Sequence, residues 1–224
     1  MDLGCGPGNS TEVLAARWPA ARIAGLDSSG AMIETARREF PGQEWVVGDI
    51  ASWAGETDGG SYDLIFSNAA MQWVGDHATA YPKIFSRVAP GGALATQVPS
   101  DLDAPAHTLM RDLAASEFWR RKFTHEIREW HVHDVPFYYD VLAPLASRLD
   151  LWTTEYVHVM PGAEAIVEWY RGTGLRPFLD ALAMEADRAG FVAEYLELIR
   201  KAFPARGDGR VLFPFQRLFL VAYR

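Results

Sequence analysis

A doubly wound α/β fold on a mostly parallel sheet, with a helical insertion, is what this sequence predicts. Three observations carry that expectation. Apolar runs of strand length alternate with helical patterns through the first half of the chain, as βα units require. A glycine-rich turn joins the first strand to the first helix. Acidic residues then stand at the ends of the second and third runs, where a parallel sheet gathers its ligand contacts.

The expected strands are Met1–Leu3, Arg22–Leu26, Glu44–Val47, Tyr62–Ser67 and Ala93–Val98, the last entered through a turn at Pro90-Gly91-Gly92. Asn9 is placed to cap a helix over Ser10–Arg17, with Glu12 reaching back as in a capping box, and Ser28 or Ser29 to cap the next, through Arg38. From Pro105 to Leu149 the pattern turns helical and aromatic. A strand at Leu151–Val159, helices at Ala163–Tyr170 and Phe178–Phe203 with a break near Gly190, and strands at Val211–Phe215 and Arg217–Tyr223 complete the chain. The organisation expected is an α/β core over 1–104, a helical cap over 105–149, and over 150–224 the rest of the core with helices above a substrate pocket.

Of 224 residues, 49% are hydrophobic and 22% charged, the balance of a globular enzyme rather than a disordered chain. The net charge of −8 argues against nucleic acid or acidic lipid as a partner, since both select for clustered Lys and Arg. A small anionic substrate would need local arginines against that background. No apolar run approaches the ~20 residues of a membrane span, and no basic flank with an apolar stretch marks a leader. The single cysteine, Cys5, excludes an intrachain disulfide and fits a reducing cytoplasm. His131 and His133 would share a face if extended, but with no third ligand at a suitable spacing no metal is expected. The oligomeric state stays open.

Asp2-Leu3-Gly4-Cys5-Gly6-Pro7-Gly8 can turn sharply and approach a ligand closely, or be only a tight loop. A dinucleotide fingerprint would need glycine at position 9, which is Asn9, so a nicotinamide dehydrogenase is disfavoured. Asp27 can accept both hydroxyls of a ribose, or merely begin the next turn. Asp49 can take the exocyclic amine of an adenine while Ile50 covers the ring. Alone each has a plain reading as a turn residue; together the three strand ends trace contacts along one adenosine ligand.

These elements resemble the class I S-adenosylmethionine-dependent methyltransferases, a Rossmann-like fold, and within them the trans-aconitate 2-methyltransferase family. The likeness rests on 2–11 and on Trp18-Pro19-Ala20-Ala21-Arg22-Ile23, Gly25-Leu26-Asp27-Ser28-Ser29, Asp63-Leu64-Ile65-Phe66 and Asn68-Ala69. It continues in Gln72-Trp73, Tyr138-Tyr139-Asp140, Gly174-Leu175-Arg176-Pro177 and Arg217-Leu218-Phe219. It implies S-adenosylmethionine as cofactor, S-adenosylhomocysteine as product, and the strand order 3-2-1-4-5-7-6 with the last strand antiparallel. Gly4, Gly6 and Asn9 would surround the methionine portion, Asp27 the ribose, and Asp49 with Ile50 the adenine. Asn68 would stand near the methionine amine and the transferred methyl, and Asp2 and Ser28 complete the set. The resemblance also implies a helical segment ahead of the glycine strand, of which Met1 holds the middle. A start read too far downstream, a truncation or a lost cap would each account for that, and each is expected to weaken stability and cofactor affinity.

A polycarboxylate such as trans-aconitate would bring an already ionised nucleophile, so no catalytic acid or base is expected. Arg176 is the first candidate to bind its other carboxylates and Arg217 the second, each with a plain reading as a surface residue. Gln72 and Trp73 are candidates to shape the pocket, and His107 to donate to the substrate. Of Tyr138 and Tyr139, one is expected to offer a hydroxyl while the other packs. Two other readings remain: methylation of a different small molecule, or a cofactor-binding remnant without catalysis.

Overall fold

The computed structural model describes residues 1–56 and 60–224. In chain order the elements are β1 (Asp2–Leu3), α1 (Asn9–Arg17), β2 (Ala24–Asp27), α2 (Gly30–Glu39), β3 (Glu44–Val47), α3 (Ile50–Ala54), β4 (Tyr62–Asn68) and α4 (His77–Ser86). They continue with β5 (Val88–Pro99), α5 (Pro105–Ala115), α6 (Val135–Leu142), β6 (Arg148–Met160), α7 (Ala163–Arg171), α8 (Arg176–Asp180), α9 (Glu185–Ala202) and β7 (Val211–Tyr223).

The strands form one sheet in the order β3-β2-β1-β4-β5-β7-β6, the arrangement expected. β1 to β5 run parallel, and β7 enters antiparallel beside β5, with Gln97 opposite Phe219 and Pro99 opposite Arg217. The register aligns the carboxyl ends: Leu3 faces Leu26, Asp27 faces Val47, and Asn68 faces Gln97. β1 spans two residues, and its ladder to β4 extends one residue further through Met1, whose carbonyl accepts from the Phe66 amide at 2.8 Å.

The chain divides into two compact units. The first comprises 1–100, 130–154 and 217–224; the second, 101–129 and 155–216. These bounds differ from the expected division into 1–104, 105–149 and 150–224. Residues 130–149 go with the sheet because Tyr138 and Leu142 of α6 join the core of Leu3, Ile65, Ile84 and Leu94. The second unit instead packs Met110, Trp119, Tyr170, Phe191, Tyr195 and Phe213 in a core of its own. No helix among the described residues is long and apolar enough to cross a membrane.

Several local expectations also change. Pro90-Gly91-Gly92 lies inside β5 as an irregularity in its pairing with β4, where Gly91 takes the left-handed φ of +80° within the strand 88–99. The break expected near Gly190 falls instead between α8 and α9, and Gly190 stays helical. A Cβ there would stand 3.3 Å from the Trp119 ring, so the glycine serves packing rather than a bend. Val211–Phe215 and Arg217–Tyr223 form one strand, and α1 begins at Asn9 with Gly8, not Asn9, at its N-cap.

His77 pins α4 to α6 within the first unit. It is wholly buried; Nε2 donates to the Met71 carbonyl at 3.0 Å, which leaves Nδ1 to accept from the Tyr138 hydroxyl at 2.9 Å. Burial, with His133 and His131 nearby, holds its pKa below the ordinary 6.5. The unfolded chain therefore takes up a proton that the folded chain refuses, so this contribution is complete above about pH 6.5 and is lost as pH falls below it. Denaturant midpoints measured on both sides of that value are expected to fall more for the wild type than for His77→Gln. Equal falls would remove His77 as the source.

Candidate cofactor crevice and substrate residues

The crevice is built where β1 ends. The Gly4 and Cys5 amides both donate to the Leu26 carbonyl, at 2.7 and 3.1 Å, which folds the glycine turn over the end of β2. Gly4 has φ +72°, and a Cβ there would lie 2.1 Å from that of Ala70, so only glycine fits. Gly6, at φ +55°, is the opposite case: nothing stands within 4 Å of where its Cβ would be, so this side of the turn is open.

Asp27 ties the turn to β2. Its Oδ2 accepts from the Gly6 amide at 2.9 Å and its Oδ1 from the Ser29 amide at 2.8 Å. Each oxygen keeps acceptor capacity for one more donor, the pattern two ribose hydroxyls require. Asp2 is wholly buried, and its Oδ2 accepts from the hydroxyls of Ser10 (2.7 Å) and Thr11 (2.6 Å). Its Oδ1 is buried with no hydrogen-bond partner among the described residues. Burial pushes this carboxyl above the usual range, while Thr11 and Ser10 pull the other way. An orphaned acceptor beside an open glycine turn suits a ligand ammonium, and so the residues fit the methionine portion of the implied cofactor.

The remaining cofactor candidates flank the turn. Asp49 is exposed and caps α3, its Oδ1 accepting from the Ser52 amide at 2.9 Å. Ile50 is buried, with its Cδ1 3.7 Å from the Cβ position of Gly4. Ser28 and Asn9 are exposed; Ser29, not Ser28, caps α2. Asn9 does not cap its helix because the chain enters it through left-handed Gly8, while the hydroxyls of Ser10 and Thr11 turn to Asp2. Asn68 is exposed at the end of β4, followed by Ala69 in the left-handed region at φ 54°.

The substrate candidates are divided between the two units. In the first unit, Gln72 is buried and donates from Nε2 to the Ala69 carbonyl at 2.7 Å, while Trp73 meets Trp130 edge-on at 5.6 Å. Tyr138 is the tyrosine that packs: it is wholly buried, its hydroxyl donates to His77 and accepts from the His133 amide, and burial pushes it up to about 12. That engagement withdraws Tyr138 as a substrate hydroxyl and leaves Tyr139, 54% exposed. Arg217 donates to Gln97 Oε1 at 3.0 Å. In the second unit, His107 is buried with Nε2 3.6 Å from Asp101 and its ring edge-on to Tyr170. Arg176 lies exposed at the start of α8 in a pair with Asp180 at 3.5 Å, the arrangement of a surface ion pair.

Ser10, Thr11 and Gln97 were not singled out by the sequence. For the first two, hydroxyls one turn after a buried acid were the available signal. For Gln97 it was a long polar side chain inside an otherwise apolar strand. A cavity of about 1700 Å³ runs from Met1, Ala24 and Leu64 to Val47 and Asp49. It takes in Asp49 but does not reach the glycine turn, Asp27 or Asn68.

Residues 1–92 match the model of a methyltransferase domain family. The chain is 48% identical over 225 aligned residues to the trans-aconitate 2-methyltransferase of Paracidovorax citrulli, covering 100% of itself and 86% of that protein. The YcgJ protein of Bacillus subtilis shares the fold, with a TM-score of 0.61 at 15% identity, over 100% of this chain and 90% of that one. So does the phosphoethanolamine N-methyltransferase 2 of Haemonchus contortus, solved with S-adenosylhomocysteine, at a TM-score of 0.56 and 15% identity over 99% of this chain and 47% of that one. The chain belongs to the class I S-adenosylmethionine-dependent methyltransferases, as a homologue of the trans-aconitate 2-methyltransferases.

Proposed function

We propose that this chain transfers a methyl group from S-adenosylmethionine to a carboxylate oxygen of a small polycarboxylate, with trans-aconitate as the first candidate. The observation that carries the reading is the 48% identity, along the whole chain, to a relative that bears that activity in its name. When bound, S-adenosylmethionine supplies a sulfonium methyl: the carbon–oxygen bond forms as the carbon–sulfur bond breaks, the electron pair stays on sulfur, and no proton changes hands.

The chain's own work is then binding and orientation. Asp27, already aligned by two amides, receives the ribose, and Asp2 Oδ1 the ammonium. Asp49 and Ile50 take the adenine, and Asn68 stands beside the methyl. A nucleophile that is ionised at neutral pH asks for no base, so the barrier falls through alignment and exclusion of water. Orientation of this kind is worth roughly 7–11 kcal/mol when the bound geometry is close to attack.

A second reading, methylation of an amine or phenol, is favoured by one feature, the buried Asp101–His107 pair of the second unit, which has the make-up of a proton acceptor. The two readings separate on pH. With labelled cofactor and a panel of polycarboxylic acids, kcat/KM is expected to be level from about pH 6 to about pH 9, above the carboxylate range near 4. A limb that rises through neutrality would favour a base instead. Asp27→Ala is expected to weaken cofactor binding by about 1–3 kcal/mol, the worth of a hydrogen bond to a charged acceptor. Unchanged affinity by calorimetry would discard the ribose assignment.

A further inference from the structure

The carboxyl ends of β4 and β5 hold a second polar group, all of it in the first unit. Gln97 is 5% exposed and Gln72 is 4% exposed. Both are tethered to Ala69, whose amide donates to the Gln97 carbonyl at 2.9 Å and whose carbonyl accepts from Gln72 Nε2 at 2.7 Å. The strand register sets Gln97 beside Asn68 on one side and diagonal to Arg217 on the other.

The two glutamines are anchored in opposite senses. A guanidinium only donates, so the Gln97 amide must turn its oxygen to Arg217, and Nε2 is left buried with no acceptor among the described residues. A carbonyl only accepts, so Gln72 must turn its nitrogen to Ala69, and Oε1 is what remains. Of the pair, only Gln97 has a donor to offer an anion. Its amide is also polarised by the cation bound to its oxygen, which strengthens the N–H as a donor and disfavours any cationic ligand there.

We propose that Gln97 is a substrate-binding residue, donating from Nε2 to a carboxylate oxygen of the substrate, and that Arg217 is the positioning residue that fixes and polarises its amide. The inference rests on the polycarboxylate reading above and adds to it a residue that specifies the anion. A glutamine with a purely structural role would have both ends of its amide satisfied within the fold. This one keeps a donor in reserve beside the residue assigned to the methyl group.

The test compares wild type with Gln97→Leu, which keeps the volume and removes the donor, and Gln97→Asn, which keeps the amide and withdraws it by one methylene. Each protein is loaded with S-adenosylhomocysteine and titrated with trans-aconitate by calorimetry, and kcat and KM are measured alongside. Expected for Gln97→Leu is a rise of about tenfold or more in the trans-aconitate Kd and KM, with a cofactor affinity within about twofold of wild type and no fall in Tm. Gln97→Asn should lie between the two, and carries the test if the leucine variant does not fold. Arg217→Gln should move KM in the same direction while kcat changes less. Wild-type affinity in both Gln97 variants, against a wild type that binds and esterifies trans-aconitate, would overturn the assignment of Gln97 alone. A wild type that binds S-adenosylhomocysteine yet neither binds nor esterifies any polycarboxylate would overturn the underlying reading and this assignment together.

Discussion

The crevice depends on two carboxylates that hold a backbone in a conformation it would not otherwise keep. A chain leaving β1 through Gly4, Gly6 and Gly8 at positive φ has many alternatives open to it, because glycine restricts it so little. Asp27 removes those alternatives from one side by taking the Gly6 amide, and Asp2 from the other by drawing the first turn of α1 down through Ser10 and Thr11. Both acids still have acceptor capacity to spend. The protein has therefore put its negative charge where it shapes the turn and, by the same atoms, where an adenosine bearing an ammonium can meet it.

The parallel sheet explains why those acids converge. With β1 central and β2 and β4 on either side, Leu3, Leu26 and Phe66 sit at nearly one level, so each connection leaves the sheet on the same edge. What the proposed chemistry then asks of the site is modest: a fixed donor, an ionised acceptor and no water between them. His77 serves as a buried strut between Met71 and Tyr138, and within the second unit His107 stands beside Asp101 and Tyr170.

Much of this was legible in the sequence. Short apolar runs set between helical patterns marked β2, β3 and β4 to within two residues, although the edge strand β3 buries only Trp45. Asp27 and Asp49 were marked by their place just after such runs. The rest depended on atoms distant in sequence. Asn9 has the chemistry of a cap, but Asp2 competes for the hydroxyls that follow it, and Gly8 takes the position. Gly190 has the chemistry of a break, but the Trp119 ring needs the room. Tyr138 and Tyr139 are identical as letters, and only the partnership with His77 decides which is buried. Gln97 stood out only as a polar residue in a strand, because its meaning comes from an arginine 120 residues away.

That long reach has an evolutionary side. The match to the methyltransferase domain family ends at residue 92, and the pairing of Gln97 with Arg217 begins beyond it. By reversing direction beside β5, β7 lets the last stretch of the polypeptide deliver a cation next to strand ends supplied by the first hundred residues. Selection acting on that returning stretch would be able to change which acid is accepted while the donor-handling machinery is inherited intact.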